Sequence, residues 1–275
     1  SLFLRNIRIF LDSLSNYVWF NFPFGKSLKS KKEIYLKLAD DAKKEIYPEI
    51  DEYEQLKGFK IDKEWLDDLA LHTQIVIKKS KLCYAHGRIL YTTLSDYISK
   101  QNNDEKKQRI AIIETGTAKG FSSLCMAKAL ADLNRNGLII TFDFLPHFKK
   151  MYWNLMDDFE SPKTRSELLI KWKKLISNYI VFQQGDTRLE LKKLQLERVN
   201  FAFLDGAHTY EDVMYEFKQI KDAQKVGDII VYDDYSYKKF PGIVRAVDQI
   251  CNDFKYKKKH LKSLDDRGYI IAEKI

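Results

Sequence analysis

The chain has little cysteine: Cys83, Cys125 and Cys251 are its only three, far apart, with no C-x-x-C pair and no clustered histidines beside them. That pattern argues against a disulfide framework and a structural zinc site and fits a reducing, cytoplasmic setting. No apolar run approaches the roughly 20 residues that a membrane-spanning helix needs. Arg5 and Arg8 interrupt any signal-peptide core behind Ser1. No internal repeat or low-complexity tract is present, and glycine is almost missing from the first hundred residues.

What is there is a chain of 275 residues, 45% hydrophobic and 31% charged, able to bury a substantial core as one large domain or one domain with an extension. The net charge of +8 favours acidic partners, which is a statement about association and not about fold. There are lysine runs but no recognisable RNA-binding module, so nucleic acid is not the expected partner.

Residues 1–105 carry helical periodicity and form the expected N-terminal extension. Ile7, Phe10, Leu11 and Leu14 fall on one helix face, continued by Tyr17, Val18 and Trp19. Such a face packs on the main domain or on a second copy of the chain; an interfacial membrane helix is the alternative. The lysine run from Lys26 to Lys32 reads as solvated. Helical segments are expected over roughly 31–47 and 62–100, flanking Pro48 and Gly58. Trp65, Leu69 and Ile75 to Ile77 face the core, and His72 and His86 are structural. Residues 101–107 read as a polar linker.

From residue 106 onward the pattern changes. Short apolar runs at Ile110–Ile113, Leu138–Phe142, Ile180–Phe182, Phe201–Leu204, Ile229–Tyr232 and Tyr269–Ala272 alternate mostly with helical stretches. Runs of this kind are strands buried on both faces, which predicts an α/β fold with a mostly parallel, Rossmann-like sheet and right-handed crossovers. An antiparallel strand is expected near the C-terminus. Thr209 and Pro241 open two of the helices. The long segment from Phe144 to Asn178 is a lid, a substrate wall or a surface excursion with its own small core. The late lysines Lys255 to Lys259 lie near an edge strand, where charge discourages pairing.

Acids stand directly after the strands: Glu114, Asp143, Asp205 and the pair Asp233-Asp234, with Asp186 a little beyond its strand. Parallel strands point one way, so these carboxylates gather at one edge, where open α/β sheets bind ligands. The turn Gly116-Thr-Ala-Lys-Gly120 has Ala118 where a dinucleotide-binding turn has its second glycine, which argues against pyrophosphate and hydride transfer. Asp143 can accept from both hydroxyls of a ribose. Lys119, within the turn, is expected in solvent.

The stretches Glu114-Thr-Gly-Thr-Ala-Lys-Gly120-Phe-Ser-Ser123, Leu204-Asp-Gly-Ala-His-Thr-Tyr-Glu-Asp-Val213 and Tyr232-Asp-Asp-Tyr235, followed by Gly242-Ile-Val-Arg-Ala-Val247, resemble the class I S-adenosylmethionine-dependent methyltransferases, and among them the macrocin and novobiocin sugar O-methyltransferase branch. The resemblance covers roughly residues 108–275. It implies that Glu114, Gly116, Thr117 and Gly120 line the S-adenosylmethionine pocket, with Ser122 or Ser123 near its methionyl end. It also implies that Asp143 takes the ribose hydroxyls, that Asp186 approaches the adenine amine, and that Asp205, Asp233 and Asp234 hold a metal. Gly227-Asp228 departs from a Gly-Gly common in that family, without removing a ligand.

A neutral hydroxyl attacks a sulfonium poorly, and carboxylates holding a hard divalent cation such as Mg²⁺ would lower its pKa and orient it. Asp205, or His208 beside it, is the candidate general base. The expectation is therefore metal-assisted O-methylation of a small hydroxylated acceptor, a sugar or glycoside and in view of the charge an anionic saccharide. An RNA methyltransferase and a non-catalytic scaffold of the same fold are the alternatives.

Overall fold

A computed structural model describes residues 21–25, 31–206 and 208–275. The amphipathic face from Ile7 to Trp19 and most of the lysine run from Lys26 lie outside the described residues.

Among the described residues, the longer helices before the sheet are α1 (Lys32–Ala42), α2 (Pro48–Lys57), α3 (Lys63–Leu71) and α4 (Ala85–Ser99). Three expectations change here. Pro48 starts α2 rather than ending a helix, because its missing N–H and fixed φ suit a first helical position. The segment 62–100 is two helices: at the end of α3 the Ala70 carbonyl takes the N–H groups of Thr73, Gln74 and Ile75, and the Thr73 hydroxyl bonds back to the Leu69 carbonyl at 2.6 Å. Residues 101–107 contain a helical turn, Asn103–Lys107, closed by a reciprocal Asn102–Glu105 capping box.

The sheet follows as β1 (Ile110–Thr115), α5 (Phe121–Asp132), β2 (Gly137–Asp143), α6 (Lys173–Tyr179), β3 (Ile180–Gln184), β4 (Phe201–Leu204), α7 (Tyr210–Ile220), β5 (Ile229–Tyr232), α8 (Pro241–Asp253), β6 (Tyr256–Lys262) and β7 (Gly268–Lys274). Its order is β3-β2-β1-β4-β5-β7-β6. The first five strands are parallel, and β7 enters antiparallel between β5 and β6. The charged run Lys257 to Lys259 is itself part of the edge strand β6, with its lysines exposed.

Successive residues of each central strand go to opposite faces. Phe201 and Phe203, Ile229 and Val231, and Tyr269 and Ile271 join the core under α4 and α5, whereas Ala202 and Leu204, Ile230 and Tyr232, and Ile270 and Ala272 join the core under α7 and α8. Helices α1 to α4 share the first of these cores with the sheet. Trp153, Leu155 and Trp172 from the excursion after β2 are buried in it too, so that segment wraps the same core.

Register then fixes the site. Phe142, Thr115, Leu204 and Tyr232 stand side by side across β2, β1, β4 and β5. The next residues, Asp143, Gly116, Asp205 and Asp233, therefore form a row along one edge of the sheet.

Candidate active site

The turn after β1 is shaped by close backbone approach. Gly116 has φ +87°, and a Cβ there would lie 2.4 Å from the Asp205 carbonyl oxygen. Only glycine fits. Ala118 takes φ +44°, a left-handed conformation that costs a residue with a Cβ about 1 kcal/mol or more. Its N–H donates to Asp143 Oδ2 at 2.5 Å, and its carbonyl accepts from Arg165 Nε at 2.9 Å, so the missing middle glycine is offset by two polar contacts. Gly120 is the N-cap of α5.

Behind this turn, Glu114 is fully buried. Ser123 donates to its Oε2, while its Oε1 has no hydrogen-bond partner. Burial raises its pKa, opposed by the hydroxyls of Ser122, Ser123 and Thr141. Thr117 Oγ1 lies 2.5 Å from Thr141 Oγ1. Asp143 also accepts from Leu145 N at 2.7 Å. Burial raises its pKa, against the guanidinium of Arg165 3.5 Å away. Asp186 is more open, caps the turn at Thr187 by accepting from Arg188 N, and pairs with that arginine at 3.6 Å. Lys119 is not solvated: only 5% exposed, its amine lies 3.7 Å over the Phe24 ring, and burial pulls its pKa down to about 7.

A cavity of about 700 Å³ runs along the row, lined by Gly116, Asp143 and Asp186 towards one end and Asp205, His208 and Asp234 towards the other. Glu114, Thr117, Gly120, Ser122 and Ser123 stand behind its wall. The volume is that of an ordinary small-molecule site. An elongated ligand with a ribose suits it, since Asp143 lines it and keeps acceptor capacity.

The acids at the far end divide in a way the sequence did not indicate. Single ligand atoms of Asp205, His208 and Asp234 lie within 4.8 Å of one another, and His208 Nε2 is 3.2 Å from Asp234 Oδ2. Asp233 is turned away from this group, 2% exposed and held by Arg267 through Nη2 at 2.6 Å and Nε at 3.1 Å. Burial alone would raise its pKa, but Arg267, helped by His86, holds it below the usual range. Asp205 goes the other way: burial and then Asp233 and Asp234 push it well up. Two carboxylates and an imidazole form a donor set that fits a divalent cation, with His208 where the sequence pointed to Asp233. His86 is buried among Phe121 and Phe203, and burial lowers its pKa to about 4, as befits a structural residue.

Three site residues went unnoticed in the sequence. Arg165, first residue of the short helix Arg165–Leu168, and Arg267, in the turn between β6 and β7, carry no local motif. Glu216, on α7, lines the cavity at 3% exposure and accepts from Thr115 Oγ1 at 3.0 Å; burial raises its pKa to about 8. It sits about two turns past the Thr209 cap on a face otherwise apolar, and that break in periodicity was the one available signal.

Comparison with known proteins was made against this geometry. Residues 113–235, a little under half of the chain, match the model of a methyltransferase domain family. No curated protein sequence matches significantly. Among solved structures, the O-methyltransferase TomG from Streptomyces achromogenes, involved in tomaymycin synthesis and solved with S-adenosylmethionine, is 15% identical over 79% of this chain and 92% of its own, with a TM-score of 0.53. The O-methyltransferase NovP is 15% identical over 77% and 98%, also with a TM-score of 0.53. An O-methyltransferase from Bacillus cereus, solved with S-adenosylhomocysteine, is 14% identical over 86% and 96%, with a TM-score of 0.51. At such identities the likeness establishes the fold, which is that of the class I S-adenosylmethionine-dependent methyltransferases. The matched segment contains Glu114, Asp143, Asp186, Asp205, His208, Asp233 and Asp234; Arg267 lies beyond it.

Proposed function

We propose that this chain transfers a methyl group from S-adenosylmethionine to a hydroxyl oxygen of a small acceptor, a sugar or glycoside, with help from a divalent cation at Asp205, His208 and Asp234. The observation that carries this reading is the single cavity that joins Asp143 and the glycine turn to that donor set. The cofactor would supply an electrophilic methyl group, and the cation would lower the pKa of the acceptor hydroxyl.

The chain's own part is positioning and proton handling. Gly116 and Ala118 bring backbone close to the cavity, and Asp143, fixed by Ala118 N, Leu145 N and Arg165, presents its remaining lone pairs to a ribose. Asp205 takes the hydroxyl proton at a carboxylate oxygen, a role suited to a carboxylate whose proton affinity its neighbours have raised. His208 Nε2 is the second basic atom at the same place. Mg²⁺ suits the two carboxylates, and the imidazole extends the choice to Mn²⁺.

Calorimetry with S-adenosylhomocysteine, and transfer of labelled methyl to a panel of glycosides with and without EDTA, test this reading. Asp143→Ala should lose cofactor binding, whereas Asp205→Ala should keep it and lose transfer. Undiminished transfer by Asp205→Ala and Asp234→Ala in EDTA would remove the metal from the mechanism, and failure to bind S-adenosylhomocysteine would remove the function.

A further inference from the structure

The acid cluster has a second cavity on its other side, of about 320 Å³. Lys78, Asp234 and Arg267 line both cavities, so the two adjoin at the proposed reaction centre. The second one is further lined by Ser80, Lys81, Ser236, Lys239 and the exposed carboxylate of Asp265, which acts on Lys81, so its cations outnumber its acids four to two. Its cations are not equivalent. Lys81 is paired with Glu45 at 2.7 Å, and Arg267 with Asp233 and Asp234. Lys78 and Lys239 form no ion pair among the described residues. They come from separate parts of the chain, Lys78 from the irregular segment between α3 and α4 and Lys239 from the loop between β5 and α8, and they meet around one concavity.

Resting on the methyltransferase reading, we propose that this second cavity is the subsite for an anionic group on the acceptor, a phosphoryl or a carboxylate, held by Lys78 and Lys239. Two unpaired ammonium groups in a concave wall attract an anion and raise its local concentration. Lysine is a point-charge donor and tolerates either oxyanion geometry. The Ser80 hydroxyl adds a neutral partner for the same group, whereas Ser236 already donates to Asp266 and accepts from the Lys239 N–H. An anion bound there lets the rest of the acceptor reach Asp205 and His208 past Asp234, because Lys78, Asp234 and Arg267 line both cavities. A neutral acceptor would leave both lysines without a partner and gain nothing from them.

The test is calorimetry on the full chain saturated with S-adenosylhomocysteine, titrated at low salt with inorganic phosphate, glucuronate and neutral methyl glucoside. At least one anion is expected to bind, with affinity reduced about tenfold in Lys78→Ala and in Lys239→Ala, the loss of one charged hydrogen bond. Lys238→Ala, an exposed neighbour outside the cavity, should leave it unchanged. Preference for phosphate marks a phosphoryl acceptor and preference for glucuronate a carboxylate one. Unchanged anion affinity in both lysine variants, or no binding of either anion, overturns the subsite. The preceding S-adenosylhomocysteine titration reports separately on the methyltransferase reading.

Discussion

Arg267 grips Asp233 through Nη2 at 2.6 Å and Nε at 3.1 Å, and the same Nε lies 3.0 Å from Asp234 Oδ1. One guanidinium thus neutralises the buried acid and steadies its more open neighbour. The two aspartates, adjacent in sequence, are differently placed: Asp233 is buried against Arg267, and Asp234 also faces His208. Asp233→Asn should cost stability, about 3 kcal/mol for breaking a buried ion pair, while leaving Mn²⁺ affinity largely intact. Asp205→Asn and Asp234→Asn should lower Mn²⁺ affinity on the order of tenfold or more with little change in melting temperature. Thermal unfolding and Mn²⁺ titration by electron paramagnetic resonance separate the two outcomes; equal Mn²⁺ loss in all three variants would restore Asp233 as a ligand.

Arg165 is 2% exposed and joins the Ala118 carbonyl, the Leu145 carbonyl and Asp143 from the excursion after β2. Arg165→Leu should weaken S-adenosylhomocysteine binding by about tenfold, because Asp143 and the turn lose their common brace. Arg165→Lys should not restore it, since one ammonium cannot serve both carbonyls. Calorimetry decides, and full rescue by lysine would reduce the role to charge alone.

Gly116→Ala combines a left-handed backbone with a 2.4 Å clash against the Asp205 carbonyl. A stability loss of about 1–3 kcal/mol is expected, together with loss of cofactor binding as the turn and the strand after it move apart. Urea unfolding and calorimetry measure both.

Glu216 gives a pH dependence with a definite sign. Its pKa rises from 4.5 to about 8 on folding, so between these values the folded chain binds the extra proton. Its contribution is present in full below about pH 4.5 and is lost as pH rises through about 8. Glu216→Gln, neutral throughout, should therefore unfold at higher temperature than the parent chain at pH 8 and at a similar temperature at pH 5. Parallel melting curves at the two pH values check this, and a constant difference would place the effect elsewhere.

Much of the fold was legible because each central strand is buried on both faces and so reads as an unbroken apolar run ended by an acid. The edge strand β6 did not read that way: its lysines face solvent, and charge hides a strand from a hydrophobic pattern. Likewise Ile75 extends the apolar pattern past α3, yet the backbone leaves the helix after Leu71, a choice made by local hydrogen bonds to the Ala70 carbonyl. In the site, Gly116, Asp143, Asp186, Asp205, His208 and Asp234 could be picked out from their place after strands or in the glycine turn. The division of labour between Asp233 and Asp234 could not, because Arg267 lies more than thirty residues downstream and nothing local announces the pair. Arg165 was hidden for the same reason.

The hairpin that carries Arg267 also has a place in time. Strand β7 enters between β5 and β6, and its Tyr269 and Ile271 complete the core on which the first helices rest. In order of synthesis it follows every other strand of the sheet. The counter-charge of Asp233 and Asp234 therefore comes from the last stretch of the chain to be made, and a chain cut before Arg267 would leave both acids uncompensated.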